Sequence, residues 1–328
     1  MKKTGNNKPC YDFAPILDLA TLSQVLGFDE GRLSVLANRA NNLYRLAKRE
    51  LKSDGTYRET FDAREPLKAI QGRIKTRLLG KVNFPTYLQG GIRDTASPRS
   101  IYTDAAMHVN AKIVIKLDVT NFYPSVSGEI VYRVWRKFFR FSHDVAQCLT
   151  KLTTKNGALV QGARTSTHIA NLILWQNEPS IYERFSRKGL YYSRYIDDIT
   201  ISSRTHLSSS TTGQTIASVR NMLADYQLVV KRRKQTITTS GNPLLVHNLV
   251  VNKKVNFTQE KRSTIRNEVY RCEQAAIKDR TSDEYRKIYR SVTSKVGQLK
   301  RSNLNEAKKL RERLLKIKPP KPLTKLLT

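Results

Sequence analysis

The chain has 328 residues, of which 59 are Lys or Arg and 27 are Asp or Glu, so its formal net charge at pH 7 is +32. So large an excess indicates a polyanionic partner, because a merely solubilising surface does not need it. The basic residues run through the whole chain instead of flanking apolar anchors, which favours nucleic acid over an anionic membrane, and no apolar run approaches the roughly 20 residues that span a bilayer.

Three cysteines, Cys10, Cys148 and Cys272, lie far apart and have no metal-ligand spacing. An odd and sparse set argues against a disulfide framework and fits a reducing cytoplasm. The lysines at the N-terminus are not followed by an apolar segment, so we expect no signal peptide. At roughly 150 residues per domain, the length predicts about two structural units.

The N-terminal part of the chain has the spacing of helices. Apolar residues recur at helical intervals over residues 14–52 and again over residues 66–82. A loop-rich region with two prolines and a Gly-Gly pair follows over residues 83–100.

The middle of the chain alternates strand and helix patterns. Ile113, Ile115 and Leu117 alternate with polar residues, which predicts a strand over residues 112–118. Ser127 is a candidate N-cap for the helix that follows. The remaining predictions are helices over residues 167–175 and 215–226, a hairpin over 191–203, short strands at 228–230 and 249–251, and a loop over 206–213.

After residue 255 the chain becomes dense in Glu, Lys and Arg, with helical spacing to its end. One helix is predicted over residues 304–317, with Leu310, Leu314 and Ile317 on its apolar side. The pattern indicates a separate helical domain, and we expect the basic, proline-rich tail from Pro319 to lack fixed structure.

The segment Tyr195-Ile196-Asp197-Asp198 is the strongest chemical signal in the chain. It lies between two strand patterns, so the two aspartates fall at a tight turn, where a hairpin ordinarily prefers glycine. Adjacent carboxylates repel, and a cation would remove that repulsion, since carboxylate oxygens are ligands that magnesium prefers. The pair alone is weak evidence, because most Asp-Asp pairs are simply solvated loop residues.

Asp118 strengthens this interpretation, because it ends a second strand pattern. Neighbouring strands that bring three carboxylates together would form a site for two divalent ions about 3.5–4 Å apart, which can activate a 3′-hydroxyl and stabilise departing pyrophosphate. In so basic a chain, the metals would hold the reacting phosphate while Lys and Arg hold the nucleic-acid backbone.

These motifs resemble the reverse transcriptases. A Tyr-x-Asp-Asp hairpin, preceded by a strand that ends in Asp, is similar to the palm of that family. Residues 161–166 (Gln-Gly-Ala-Arg-Thr-Ser) resemble the family's Gln-Gly-x-x-x-Ser loop, with Ala170-Asn171-Leu172 following as in the family. Leu67-Lys68-Ala69-Ile70-Gln71 resembles the first finger motif.

The resemblance is greatest to the bacterial retron-type branch and covers roughly residues 57 to 256. Asp104-Ala105-Ala106-Met107-His108 resembles an Asn-Ala-x-x-His element of that branch, with Asp in place of Asn. Val246-His247-Asn248 stands where retron enzymes have Val-Thr-Gly, an element tied to recognition of the retron's own RNA. Val160 and Thr167 also depart from the branch. Because the Val-Thr-Gly element is missing, a related defence-associated reverse transcriptase with a different RNA is the alternative.

The resemblance implies roles for single residues. Asp118 and Asp197 would be the main metal ligands and Asp198 would assist, with two Mg²⁺ ions per site and Mn²⁺ as an alternative. Tyr123 would select deoxynucleotides, unless it is plain core. The expected substrate contacts are Gln161 and Gly162 on the template and base pair, and Lys234, Arg99 and Arg93 on the triphosphate, although Lys234 lies in a basic run. The expected nucleic-acid contacts are Tyr195, Lys68, Arg73, Lys231, Arg232, His247 and Asn248.

The fold implied is α+β with a right-hand polymerase architecture. Residues 1–56 would form a helical N-terminal region, residues 57–256 the fingers and a palm with a small antiparallel sheet, and residues 257–328 a helical thumb and basic tail.

The activity implied is RNA-directed DNA synthesis from a structured noncoding RNA, with deoxynucleotide substrates and a role in antiphage defence. Any effector would be a separate protein or the nucleic-acid product. The alternatives are a non-catalytic, maturase-like RNA-binding protein, RNA synthesis, and DNA synthesis that is self-templated or has no template. The intact set of three aspartates argues against the first.

Overall fold

The computed structural model of the protein describes residues 7–52 and 55–320. Its N-terminal part begins with two short helices, α1 (Leu19–Leu26) and α2 (Glu30–Arg39). Each begins after an aspartate, Asp18 or Asp29, whose side chain accepts a hydrogen bond from a backbone N–H of the first turn. Their buried leucines join the main hydrophobic core.

A two-stranded antiparallel ribbon follows, formed by β1 (Tyr44–Leu51) and β2 (Tyr57–Ala63). The helix predicted over residues 14–52 is therefore wrong at its C-terminal end. Only Tyr44 of β1 is buried, so the segment has no apolar face that a helix could bury. Pairing with β2 satisfies its backbone instead, and the ribbon crosses the boundary predicted between residues 56 and 57.

The centre of the molecule is a four-stranded antiparallel sheet in the order β4-β5-β3-β6. The strand predicted over residues 112–118 and the hairpin predicted over 191–203 are confirmed. No pattern indicated β6, whose side chains are mostly exposed. The strands are β3 (Ile113–Asp118), β4 (Leu190–Tyr195), β5 (Asp198–Ser203) and β6 (Thr236–Thr239).

Eight helices lie between the ribbon and the C-terminal part in the chain, and most of them contribute buried side chains to the main core. Ser127 caps the helix that it was predicted to cap, and a π turn over Val134–Phe138 continues that helix. The loop predicted over residues 206–213 is confirmed at 206–208 and wrong from residue 209, because Ser208 caps a helix and Thr212 is buried. The helices are α3 (Leu67–Arg77), α4 (Ile101–Met107), α5 (Phe122–Ser125), α6 (Gly128–Arg133), α7 (His143–Thr153), α8 (Ser166–Leu172), α9 (Glu178–Arg187) and α10 (Ser209–Ala224).

A small antiparallel sheet lies beside α4 and has its own buried cluster. It comprises β7 (Leu245–Val246), β8 (Leu249–Val250) and β9 (Asn256–Phe257). The strand predicted at 249–251 is confirmed as β8. The strand predicted at 228–230 is reduced to one isolated bridge between Val230 and Val119.

The C-terminal part is a three-helix unit with a hydrophobic core separate from the main core. Its helices are α11 (Gln259–Lys278), α12 (Asp283–Leu299) and α13 (Leu304–Lys316). Ion pairs such as Arg313–Glu273 link α13 to α11. The predicted helical character of this region is confirmed, and most of the predicted basic tail lies outside the described residues. No helix in residues 7–52 or 55–320 is long and apolar enough to cross a membrane.

Candidate active site

The three aspartates singled out in the sequence lie together at one end of the central sheet. Asp118 is the last residue of β3 and Asp198 the first of β5, and the antiparallel register pairs them directly. The backbone N–H of Val119 donates to the carbonyl of Asp197 at 3.3 Å. Antiparallel pairing thus brings into one site carboxylates that are 79 and 80 positions apart in the chain (197 − 118 and 198 − 118).

The turn that carries two of these aspartates has an unusual backbone. Ile196 has φ of 63°, in the left-handed region that a β-branched residue rarely adopts. Gly90 packs directly beneath it, since a Cβ atom at Gly90 would lie 2.6 Å from Ile196 Cγ1. A glycine is therefore required at this position for the loop to approach the turn.

The carboxylates of the site repel one another. Burial, Asp197 and Asp118 together raise the pKa of Asp198 to about 6. Burial and Asp118 also raise the pKa of Asp197. Lys234 Nζ lies 3.0 Å from Asp118 Oδ2 and offsets part of this negative charge.

A divalent cation fits this set of donors. Within residues 7–52 and 55–320, no three His, Cys, Asp or Glu side chains are gathered closely enough to hold a metal by themselves. Magnesium, however, is usually held by one or two carboxylates together with waters and substrate phosphates. Burial first, and then the neighbouring carboxylates, raise the pKa of Asp197 and of Asp198, and a bound cation would offset both effects.

The β1–β2 ribbon contacts the loop predicted to hold the template. The backbone N–H of Phe61 donates to the carbonyl of Gln161 at 2.8 Å. Gly162 has φ of 107°, and a side chain there would collide with the backbone of Phe61. The ribbon and this loop therefore form one contiguous surface beside the site.

The ribbon also brings two cations to the site that the sequence did not indicate. Lys52 Nζ donates to Asn121 Oδ1 at 3.0 Å, three residues beyond Asp118. The charge of Arg58 offsets part of the rise in the pKa of Asp197. The sequence did not indicate Lys52, because it lies in the segment with helical spacing over residues 14–52. It did not indicate Arg58, because the pairing of β2 with β1 is visible only in the structure.

Tyr123 lies on α5 between the main core and the aspartates. Its hydroxyl is 3.5 Å from Thr167 Oγ1. Burial raises its pKa, and the charge of Asp197 adds to the rise. A half-buried ring on which the charge of Asp197 acts is compatible with contact to a bound nucleotide.

Three of the predicted binding residues are engaged elsewhere. Arg99 is nearly buried, with 4% of its side chain exposed, and donates to the carbonyls of three residues of the preceding loop; the expected triphosphate contact is thus corrected to a structural role. Arg73 donates to the carbonyls of Leu26 and Gly27 at the end of α1. Lys68 is paired with Asp62 of β2.

The β7–β8 turn reaches the hairpin that carries Asp197 and Asp198. His247 and Asn248 both have positive φ, 49° and 61°. His247 Nε2 donates to Asp104 Oδ2 at 2.5 Å. The ring of His247 packs edge-on against that of Tyr195, with 4.7 Å between the ring centroids. Two of the residues that depart from the retron pattern, Asp104 and His247, therefore contact each other.

A buried histidine joins the same group to the hairpin. His108 hydrogen-bonds to Ser193 of β4 and Ser202 of β5, at 2.8 Å each. Burial lowers its pKa to about 4, so its ring is neutral at physiological pH. The sequence contained no sign of this network, because its members come from three distant segments.

The comparisons with known proteins agree with this geometry. Residues 50–297 match the family described as reverse transcriptase (RNA-dependent DNA polymerase). The chain belongs to this family. It is 36% identical over 317 residues to the Retron Se72 reverse transcriptase of Salmonella heidelberg, with 95% of this chain and 83% of that one covered.

Two further relatives are retron reverse transcriptases of Escherichia coli. The chain is 29% identical to the Retron Ec48 enzyme, over 93% of this chain and 77% of the relative. It is 26% identical to the Retron Ec86 enzyme, over 78% of each chain. The protein is thus a retron-type reverse transcriptase, an RNA-directed DNA polymerase with the α+β right-hand architecture that the resemblance implied.

Proposed function

We propose that this reverse transcriptase makes complementary DNA from a structured noncoding RNA in the bacterial cytoplasm, as part of antiphage defence. The observation that carries the catalytic part is the register of β3 against β5, which pairs Asp118 with Asp198 at the turn that holds Asp197. The names of the relatives support the retron-type template. An effector, where one is used, would be a separate protein or the nucleic-acid product.

Asp118 and Asp197 would hold two Mg²⁺ ions, with Asp198 assisting and Mn²⁺ as a substitute. When bound, such a pair of ions activates the attacking 3′-hydroxyl and stabilises the departing pyrophosphate. The strands would fix the carboxylates before the ions arrive, and Lys234 would leave Asp118 for the incoming phosphate. The 54% exposure of the Lys234 side chain supports this exchange.

The cations around the aspartates would bind the triphosphate of the incoming nucleotide. Lys234, just before β6, contacts Asp118, and the charge of Arg58 on β2 acts on Asp197. Lys52, which follows β1, donates to Asn121, three residues beyond Asp118. Since all three are cationic at neutral pH, they can hold a polyanion whose reacting phosphate lies at the metals. Gln161 and Gly162, which contact the ribbon, would position the template base.

The remaining surface would hold the RNA and the growing DNA. The net charge of +32 supports extensive contact with phosphates. Among the predicted contacts, Arg232 and Asn248 are exposed, while Tyr195, Lys231 and His247 are partly exposed beside the hairpin. Lys68 and Arg73 are less suited, because protein groups already occupy their side chains.

The experiment compares the native protein with the Asp197→Asn/Asp198→Asn variant, each purified with its bound nucleic acid. With Mg²⁺ and labelled deoxynucleotides, the native protein should make DNA that DNase destroys and that requires intact RNA. The variant should lose at least about 1000-fold of the rate while still binding RNA. Asp144→Asn, a change at an exposed carboxylate of α7, should leave the rate unchanged.

Either of two results would contradict the proposal. Equal DNA synthesis by the native protein and the double variant would remove the three aspartates from the chemistry. Tight RNA binding without synthesis by the native protein would favour the maturase-like alternative.

Sugar selection tests the role of Tyr123. Because its half-buried ring lies between the core and Asp197, Tyr123→Ala should open space for a ribose 2′-hydroxyl. We expect the preference for deoxynucleotides over ribonucleotides, measured as the ratio of kcat/KM values, to fall by about 100-fold, and Tyr123→Phe to preserve it. An unchanged ratio in Tyr123→Ala would assign Tyr123 to the core alone.

A further inference from the structure

The strained turn of the catalytic hairpin is bonded to a buried arginine two residues before it. Arg194, on β4, has only 1% of its side chain exposed. Its Nη1 donates to the carbonyl of Ile196 at 2.9 Å. Ile196 is the residue with the left-handed φ of 63°, and Asp197 and Asp198 follow it directly.

A buried glutamate fixes the orientation of this guanidinium. Glu178 accepts hydrogen bonds from Arg194 Nε at 2.6 Å and from Nη2 at 2.8 Å, one on each carboxylate oxygen. Such a fork-to-fork contact defines the plane of the guanidinium, which a lysine in its place would not do. Tyr192 also donates to Glu178, at 2.7 Å.

The other bonds of Arg194 go to the end of α8. Its Nη1 and Nη2 donate to the carbonyls of Ala170 and Asn171, at 3.3 and 3.0 Å. Asn171 in turn donates to the carbonyl of Gly90 at 2.8 Å, and Gly90 lies against Ile196. Arg194 thus joins the catalytic turn to the helix that follows the Gln161–Gly162 loop.

We propose that Arg194 is a positioning residue for DNA synthesis, which holds Ile196 in the left-handed conformation and so fixes Asp197 and Asp198 relative to Asp118. Glu178 acts through Arg194 by locking its guanidinium. The inference rests on the proposed role of the aspartates in metal binding.

Stability alone does not explain a charged pair at this place. Replacing a buried ion pair by apolar residues of similar volume is often neutral or stabilising, because both charges lose their hydration on burial. What an apolar pair cannot supply is the donor to Ile196. A β-branched residue held at positive φ needs such support from its surroundings.

The main test replaces the pair by apolar side chains. Tyr192→Phe serves as the control, because it removes a bond to the same Glu178 and leaves the bond to Ile196. In that background, Glu178→Met/Arg194→Met should keep the RNA affinity of the control. Its melting temperature should fall only by the loss of the donors to the carbonyls of Ala170, Asn171 and Ile196. We expect kcat to fall by about 100-fold, as misplacement by an ångström can cause, with KM for deoxynucleotides nearly unchanged.

Amide hydrogen exchange of the peptide that covers residues 195–199 gives a readout independent of catalysis. Exchange should be faster in the Met variant than in the control, since the turn has lost its support. This comparison tests the positioning even if the aspartates prove to have another role. Equal kcat and equal exchange in the two proteins would overturn the proposal.

A second pair of variants avoids any failure of the Met variant to fold. Arg194→Lys keeps a charge opposite Glu178, but one ammonium cannot also reach Ile196 in the same geometry. Ile196→Gly removes the strain, because glycine adopts positive φ freely. Arg194→Lys should cost about 100-fold in kcat in the native background and at most about 10-fold in the Ile196→Gly background. Equal losses in both backgrounds would show that Arg194 does not act through the turn.

Discussion

Asp198 carries an electrostatic cost in the metal-free protein. Its pKa of about 6 in the folded state exceeds the value near 4 of an unfolded chain. Between these values the folded protein binds a proton that the unfolded chain has lost, so stability falls as pH rises from about 4 to about 6. Above this pH range the folded protein bears the full electrostatic cost of the ionised Asp198, and below it that cost disappears.

Replacing this carboxylate should therefore stabilise the metal-free protein in a pH-dependent way. Asp198→Asn should raise the melting temperature at pH 7.5 by on the order of 2 °C, since the side chain is partly hydrated and the effect is screened. At pH 4.5 the gain should be close to zero. Calorimetric scans in EDTA at both pH values make the measurement, with Asp144→Asn as the control. A gain that does not depend on pH would contradict the assigned ionisation.

At the scale of single residues, the sequence identified side chains whose motif is local and misjudged those whose partners are remote. Asp197 and Asp198 are recognisable because they lie between two strand patterns a few residues long. The triphosphate contact predicted for Arg99 was misjudged because the partners of its side chain are main-chain carbonyls. No residue pattern reveals such partners. The contact between Asp104 and His247 joins positions 143 residues apart and requires the fold to be known.

The ribbon of β1 and β2 is the element whose function depends most on the structure. Its side chains are mostly exposed, yet Lys52, which follows β1, donates to Asn121, and the charge of Arg58 on β2 acts on Asp197. Replacing both by Ala should raise KM for deoxynucleotides by about 10-fold or more, because charge-assisted contacts to the triphosphate are lost.

A matched change on the same ribbon tests this assignment. Arg49 packs on the ring of Tyr57 and pairs with Glu59, so Arg49→Ala removes a ribbon cation without a contact to the site. Steady-state kinetics should show a normal KM for Arg49→Ala. An equal rise in both variants would mean that the ribbon acts only through its general charge.

Element prediction succeeded where periodicity was strong and failed where capping or pairing decided the structure. The alternation of β3 is matched by a strand buried at Ile113, Ile115 and Leu117. The Ser- and Thr-rich start of α10 resembles a loop, but Ser208 caps the helix and makes the polar turn helical. Strands of two residues, such as β7 and β9, are too short to have any period.

On the scale of the whole molecule, composition already indicated a nucleic-acid partner, and the motif order indicated the family. The separate core of α11, α12 and α13 matches the change in composition after residue 255. The ion pairs of that unit were not predictable, since each links two helices. They matter for function, because a paired arginine contributes less to phosphate binding than an unpaired one.

Salt dependence of RNA binding measures the phosphate contacts directly. With many Lys and Arg side chains at phosphates, affinity for the co-purified RNA should fall by at least about 1000-fold between 50 and 200 mM salt. Removing three exposed cations of α13, Lys308, Lys309 and Arg311, should make the slope of log affinity against log salt less steep by about 2.

The change Arg313→Ala/Glu273→Ala removes a charge pair and leaves the net charge unaltered, so its slope should equal that of the native protein. Identical slopes for all three proteins would place the RNA away from α13, and a shallow native slope would mean that base and shape contacts outweigh the phosphates.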